Sequence, residues 1–294
     1  MTSTTEPPRA PASKISCVIS DVDGTLVTRE KTVTPAARAA VAALRAKGIA
    51  FSIASSRPPR GLTGLIHALG ITHPVAGFDG GLIVKPDLSV IEQHLLNPQI
   101  AQRAVQLLTS ESALVWVFNG RDWLVQDASA PQVEREIRTL RFQPTLVRRF
   151  DNVFDAVGKI VGLSTDTDLI AHCAERGREM FAGQAEVTHP NLDRVDFTHP
   201  SANKGASLLA MAALLGVPPG EIAVIGDGGN DIAAFEQAGL SIAMGNAQPA
   251  VKAAADVVTD SNEDDGFAHA IERIILGGER TSAPRKGLRD HVRS

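Results

Sequence analysis

Three features of the sequence predict an α/β fold, with a doubly wound parallel sheet interrupted by an inserted α+β domain. At both ends of the chain, short apolar runs stop abruptly at polar turn residues and alternate with helical patterns, which is the rhythm of βαβ units. In the middle, that rhythm gives way to hairpin signals and alternating strands. The chain has 294 residues, 44% of them hydrophobic, enough for one large core or two modest ones.

The first strand is Ser16-Cys17-Val18-Ile19-Ser20, and it runs into Asp21-Val22-Asp23-Gly24-Thr25-Leu26. An apolar run of this length bounded by turn residues reads as a strand buried on both faces. Side chains alternate along a strand, so Asp21 and Asp23 are expected on one side of it. Thr34-Pro35 supplies an N-cap and a first-turn proline for a helix over residues 36–47, which Gly48 ends. Ala50 to Ala54 is a second strand, broken by Ser55-Ser56-Arg57-Pro58-Pro59. A helix then reaches about Leu69, and Gly70 terminates it. Pro74 to Phe78 reads as a third parallel strand, ending at Asp79-Gly80-Gly81.

Residues 85–190 form the expected insert. Asn119-Gly120-Arg121 between Leu114–Phe118 and Asp122–Val125 is a strong hairpin signal. Lys159–Leu163 and Leu192–Phe197 read as further antiparallel strands, with helices over about 98–110, 131–140 and 168–181. From Asn203 the first rhythm returns: a helix over 204–215, the strand Glu221–Ile225, strands at 240–244 and 255–259, and a closing helix over about 266–276. The core domain is therefore expected at 14–84 and 191–278, with tails at 1–13 and 279–294.

Composition narrows the function classes. A net charge of −4 and a pI near 6.1 give no basic field for nucleic acid or an anionic membrane. Aromatic residues are 4% and tyrosine is absent, which disfavours base-stacking surfaces. No apolar run nears the roughly 18–20 residues of a membrane span, and the amino terminus lacks the apolar segment of a secretory signal. A cytoplasmic protein, monomer or homodimer, is expected. Cys17 and Cys173 are read as inert core thiols.

The chemistry gathers at strand ends. Asp21 with Asp23, the Ser55-Ser56 pair, Asp79, and Asp227 with Asp231 all fall at the carboxyl ends of predicted strands, where open α/β sheets bind ligands. An EF-hand counted from Asp21 would need Gly and Glu where Leu26 and Thr32 stand. Asp260 to Gly266 resembles a calcium loop with its glycine one place late, and reads as an acidic loop capping the last helix. Gly226-Asp227-Gly228-Gly229-Asn230-Asp231 is not a dinucleotide loop, because carboxylates there repel a pyrophosphate. Two carboxylates at about 4 Å in an effective dielectric of about 20 repel by about 4 kcal/mol. A hard divalent cation such as Mg²⁺ and a lysine would offset this, and Lys204 at a helix start is the lysine candidate.

Asp21-Val22-Asp23-Gly24-Thr25-Leu26, the hydroxyl after the second strand, Asn203-Lys204-Gly205 and Gly226 to Asp231 together resemble the four motifs of the haloacid dehalogenase superfamily. The motif order and the large insert, with Met244-Gly245-Asn246-Ala247 and Asp265-Gly266, are similar to its Cof-type branch, subfamily IIB. That resemblance implies a Rossmann-like core with an α+β cap of type C2B. It implies that Asp21 is the nucleophile forming an aspartyl-phosphate, and that Asp23 is the acid for the leaving alcohol and then the base for water. It implies phosphoryl binding by Ser55, Lys204, Asn230 and Gly24. Mg²⁺ would be held by Asp21, the Asp23 main-chain carbonyl and Asp227, with Asp231 outside them.

Two departures stand out: Ser55-Ser56-Arg57 replaces the usual Thr-Gly-Arg, so Ser56 competes for the hydroxyl's role. Asp79-Gly80-Gly81 replaces Asn-Gly-Ala, which adds a carboxylate. The expected function is a Mg²⁺-dependent phosphatase of small phosphorylated metabolites, with sugar phosphates foremost. The alternatives are phosphomannomutase-like phosphoryl transfer and a non-catalytic sugar-phosphate-binding regulator. His199, near the insert's return, is a candidate substrate contact or hinge residue. Trp116 and Trp123 are expected in the insert's core, and Arg194 or Asp196 is a candidate to reach the site.

Overall fold

The computed structural model describes residues 14–120 and 122–277; the expected tails at 1–13 and 279–294 and Arg121 lie outside them. In chain order the elements are β1 (Cys17–Ser20), α1 (Pro35–Ala46), β2 (Ala50–Ile53), α2 (Thr63–Leu69), β3 (Val75–Gly77), β4 (Leu82–Val84) and β5 (Val90–Gln93). There follow α3 (Pro98–Ser110), β6 (Leu114–Asn119), β7 (Asp122–Val125), α4 (Pro131–Leu140), β8 (Thr145–Leu146), β9 (Val157–Leu163), α5 (Thr167–Met180), β10 (Glu186–Asn191) and β11 (Arg194–Thr198). The chain closes with α6 (Lys204–Leu215), β12 (Ile222–Gly226), α7 (Ile232–Gln237), β13 (Leu240–Ala243), α8 (Pro249–Ala254), β14 (Val257–Val258) and α9 (Gly266–His269).

Helix ends follow local chemistry. The Thr34 hydroxyl accepts from the Ala37 amide at the start of α1, with Pro35 in the first turn. Gly70 and Gly216 close α2 and α6 in the left-handed conformation. Asn203 caps α6 by accepting from Ala206 N–H, which sets Lys204 at the first helical position.

Five parallel strands in the order β14-β13-β12-β1-β2 make the main sheet. The chain winds outward from β1 in both directions, so the crevice beyond its carboxyl end is the expected ligand position in such a sheet. β1, β12 and β13 are buried along their whole length, as strands covered by helices on both faces must be. Cys17 lies in this core, and burial pushes its thiol up to about 12. Cys173 is buried as well, and both are free thiols.

The insert contains a six-stranded sheet, β10-β11-β9-β6-β7-β8, antiparallel except for the β7–β8 pair. Helices α3 and α5 pack on it around an apolar cluster that includes Leu108, Val117, Ile160 and Phe197. Trp116 and Trp123 are buried in an edge-to-face pair, with centroids 5.0 Å apart.

Two expectations change. The third strand does not extend the parallel sheet: β3 touches it through a single Ala54–Ala76 bridge and pairs antiparallel with β4, which pairs with β5. The cause is the Phe78-Asp79-Gly80 turn, where Phe78 and Asp79 both take positive φ, 51° and 57°, and send the chain straight back. The expected insert limits also cut through two hairpins. Residues 82–93 belong with β3, and the six-stranded sheet continues through β11 to Thr198 rather than ending at 190.

Candidate active site

β1 ends at Ser20, and Asp21 is the next residue, tied into the sheet by its amide to the Ile225 carbonyl. The carboxylate of Asp21 is nearly buried, at 8% exposure. Lys204, projecting from the first turn of α6, puts its Nζ 2.5 Å from Asp21 Oδ1 and 2.7 Å from Asp231 Oδ1. The other Asp231 oxygen accepts from the amides of Asp227, 3.0 Å, and Gly228, 2.9 Å, so it organises the loop after β12. Ligand oxygens of Asp21, Asp227 and Asp231 lie within 4.8 Å of one another, the sole cluster of this kind among the described residues.

Such a cluster is electrostatically strained. Burial, and then the carboxylates of Asp231 and Asp227 against the opposing pull of Lys204, raise the Asp21 carboxyl well above the usual range. Burial and the neighbouring Asp231 raise Asp227 to about 6, although Thr25 Oγ1 donates to its Oδ1 at 2.8 Å. Lys204 offsets part of this repulsion, and a hard divalent cation suits what remains: oxygen donors only, all within one ion's reach. The donor set fits the expected metal.

Gly24 is needed for close approach. Its φ is +85°, and a Cβ there would stand 2.3 Å from Asp227 Oδ2. The Asn246 amide closes the same corner, donating to the Gly24 carbonyl at 2.9 Å and to Asp227 Oδ2 at 3.3 Å. Thr25 and Asn246 therefore hold the Asp227 carboxylate in place, roles the sequence reading did not assign. Their signals were present, in a hydroxyl straight after the Asp-Val-Asp-Gly run and an asparagine three residues past the end of β13.

Asp23 has other partners, although its charge still reaches Asp227 and opposes ionisation there. Its carboxylate meets Arg57 through two bonds of 2.7 Å, to Oδ2 from Nε and to Oδ1 from Nη2, and Lys31 Nζ through a third of 2.7 Å. Burial opposes ionisation, but the Arg57 and Lys31 cations win and hold this carboxyl at about 2. The alternation that suggested one side for Asp21 and Asp23 applies only within a strand, and beyond it the two carboxylates take different cations, Lys204 for Asp21 and Arg57 with Lys31 for Asp23. The strand has ended, and residues 22–26 form a turn with a lone Asp23–Val27 bridge.

Ser55, at the end of β2, is buried, and its hydroxyl accepts from the Arg57 amide. Ser56 instead lines a cavity of about 460 Å³ between the two sheets' domains, with Asp23 and Arg57 on one wall and Glu136, Lys159 and Arg194 on another. Asn230 donates to Asp79 Oδ1 at 2.7 Å, so its amide ties the β12 loop to the β3–β4 turn. His199 stacks on His94, ring centroids 5.4 Å apart, where the insert's two connections run side by side. It does not line the cavity. Arg194 reaches the cavity wall, while Asp196 sits buried behind it. The acidic loop at 260–266 engages His269 and Arg273 through Asp260.

A parallel sheet whose first strand delivers an aspartate to a lysine and an acidic loop defines a class of hydrolase, and the comparisons place the chain within it. Residues 18–271 match the model of the haloacid dehalogenase-like hydrolases. The chain belongs to that family. A Bacillus subtilis relative, 5-amino-6-(5-phospho-D-ribitylamino)uracil phosphatase YcsE, is 26% identical over 262 residues, covering 89% of this chain and 96% of that protein. The crystal structure of a haloacid dehalogenase-like hydrolase from Bacteroides thetaiotaomicron superposes with a TM-score of 0.82 at 24% identity, over 89% of this chain and all of that one. The subclass IIB sugar phosphatase BT4131 gives a TM-score of 0.77 at 22% identity, over 89% and 99% of the two chains. Among the described residues no helix is long and apolar enough to cross a membrane.

Proposed function

We propose that the chain is a Mg²⁺-dependent phosphatase of small phosphorylated metabolites, sugar phosphates foremost, working through an aspartyl-phosphate on Asp21. The observation that carries this reading is the Lys204 ammonium seated between Asp21 and Asp231, beside a third carboxylate, at the carboxyl end of the central strand. Relatives named as phosphatases support the reaction class.

Asp21 attacks phosphorus, its carboxylate oxygen forming the new P–O bond as the ester P–O bond breaks. Lys204 favours the ionised form of Asp21, offsetting part of the repulsion from its neighbours, and neutralises phosphoryl charge. Asp21, Asp227 and the Asp23 carbonyl would hold the cation, with Asp231 behind them. When bound there, the cation would supply charge stabilisation for the phosphoryl oxygens. Asp23 gives the leaving alkoxide its proton, then takes one from the water whose oxygen attacks phosphorus and frees Asp21 and inorganic phosphate. The ion pairs with Arg57 and Lys31 match the second half-reaction, in which Asp23 must be a carboxylate. In the first half-reaction it must carry a proton, so the carboxyl has to leave the guanidinium.

The decisive assay is release of p-nitrophenol from p-nitrophenyl phosphate with Mg²⁺ or with EDTA, for the wild type and Asp21→Asn. Loss of turnover in EDTA and in the variant is expected; turnover without metal, or an undiminished variant, overturns the reading.

A further inference from the structure

Lys159 is a charged residue that the reaction above does not use. It stands in the middle of β9, a strand buried at every position, and is itself 1% exposed. An ammonium so placed must be compensated by hydrogen bonds and countercharge. Its Nζ donates to Asp196 Oδ2 at 2.8 Å, on the neighbouring strand β11, and to the Ser56 carbonyl at 3.1 Å, across the boundary on the loop that carries Ser55. An ammonium has three N–H donors. Among the described residues only these two groups accept from it, and Lys159 lines the same cavity as Asp23.

Every cation of the cavity has a carboxylate partner, with Asp23 shared by two cations and Asp196 shared by Lys159 and Arg194. Asp23 takes Lys31 and Arg57, Asp193 takes Arg135 at 2.8 Å, and Arg194 joins Asp196 at 2.6 Å and Glu136 at 3.8 Å. None of these cations is without a carboxylate partner, so none stands unpaired for a second phosphate or a carboxylate on the leaving group. What the walls offer is donors and acceptors fixed side by side, which suits hydroxyls.

We propose that Lys159 is a specificity-determining residue, whose third N–H donates to a hydroxyl of a neutral, polyhydroxylated leaving group held between the insert and Asp23. This rests on the phosphatase reading. Because the same ammonium holds the Ser56 carbonyl, a leaving group bound there also registers the insert against the Ser55–Arg57 loop.

The test compares kcat/KM for hexose, pentose and alditol monophosphates with kcat/KM for p-nitrophenyl phosphate, whose leaving group has no hydroxyl array. It uses the wild type, Lys159→Met, and the double variant Lys159→Met with Asp196→Asn, which removes both charges of the buried pair and so guards against misfolding. In both variants the ratio of the best polyol phosphate to p-nitrophenyl phosphate is expected to fall about 10- to 100-fold, the effect of losing one charge-assisted hydrogen bond. A ratio that stays constant while both activities fall marks Lys159 as structural and overturns the assignment. A wild type that turns over p-nitrophenyl phosphate but no polyol phosphate overturns the leaving-group class. A wild type that hydrolyses neither overturns the phosphatase reading, and this one with it.

Discussion

The two aspartates of the opening motif are separated by one residue and by opposite electrostatics. Asp21 is raised by burial and by carboxylate neighbours, while Asp23 is held at about 2 by Arg57 and Lys31. Asp21→Asn removes the attacking oxyanion and is expected to lower kcat by about 10⁴-fold or more, as loss of a nucleophile does; single-turnover phosphate release measures it. Asp23→Asn acts on the leaving group. Nitrophenolate departs without a proton and a sugar alkoxide does not, so the variant is expected to lose about 10²- to 10⁴-fold on a sugar phosphate and much less on p-nitrophenyl phosphate. Equal losses on both would assign Asp23 to hydrolysis of the intermediate alone. At this scale much was legible. Two carboxylates at a strand end, a lysine at a helix start and a second acidic loop all announce themselves by residue type and position. Arg57 as the partner of Asp23 did not, because nothing in its local sequence says which way a guanidinium reaches. Lys159 was equally silent, since a lysine inside an apolar run gives no sign of its acceptors on β11 and on the Ser56 loop.

Elements were legible where a local rule applied. Helix α1 followed from Thr34-Pro35 and Gly48, the β6–β7 pair from Asn119-Gly120, and the buried strands from their unbroken apolar runs. The β3–β5 sheet was missed although Asp79-Gly80 is itself a hairpin signal, because position after two βα units favoured a third parallel strand. β10 was missed because Glu186 to Asn191 has one buried residue, Val187, and so lacks the alternation that betrays a half-buried strand. The tightest element-level constraint is the turn after β1. Alanine at Gly24 must adopt φ near +85° and place its Cβ 2.3 Å from Asp227 Oδ2. Gly24→Ala is expected to cost about 1–3 kcal/mol of stability and, on the proposed metal site, to weaken metal affinity, because the carboxylate that moves is one of the proposed cation ligands. Thermal melts with and without Mg²⁺ separate the two effects: the metal-free midpoint reports the strain, and the increment on adding metal reports the site.

On the scale of the whole molecule, three carboxylates around one lysine are a charge imbalance that a bound cation would offset, and this gives stability a defined pH dependence. A carboxyl whose folded value is raised keeps its proton more readily in the folded state, so the folded state is favoured while the group is protonated. Asp227 is raised to about 6 from 3.8, mainly by burial, and Asp21 shifts the same way. Metal-free protein is therefore expected to lose stability as pH rises from about 4 to about 6. Asp23 has the opposite sign: its stabilising ion pairs are complete above the ordinary 3.8 and are lost only as pH falls toward about 2. The two windows do not overlap, so the slope between pH 4 and 6 reports the acidic cluster. Mg²⁺ binds the deprotonated ligands and should reverse that slope. At a concentration 100 times its dissociation constant it adds about 2.7 kcal/mol, so the midpoint increment on adding Mg²⁺ should be small at pH 4.5 and reach several degrees at pH 7. Asp227→Asn should flatten the metal-free slope and abolish most of the increment. A Mg²⁺ increment that is the same at both pH values would mean that the cation binds somewhere other than the cluster beneath Lys204.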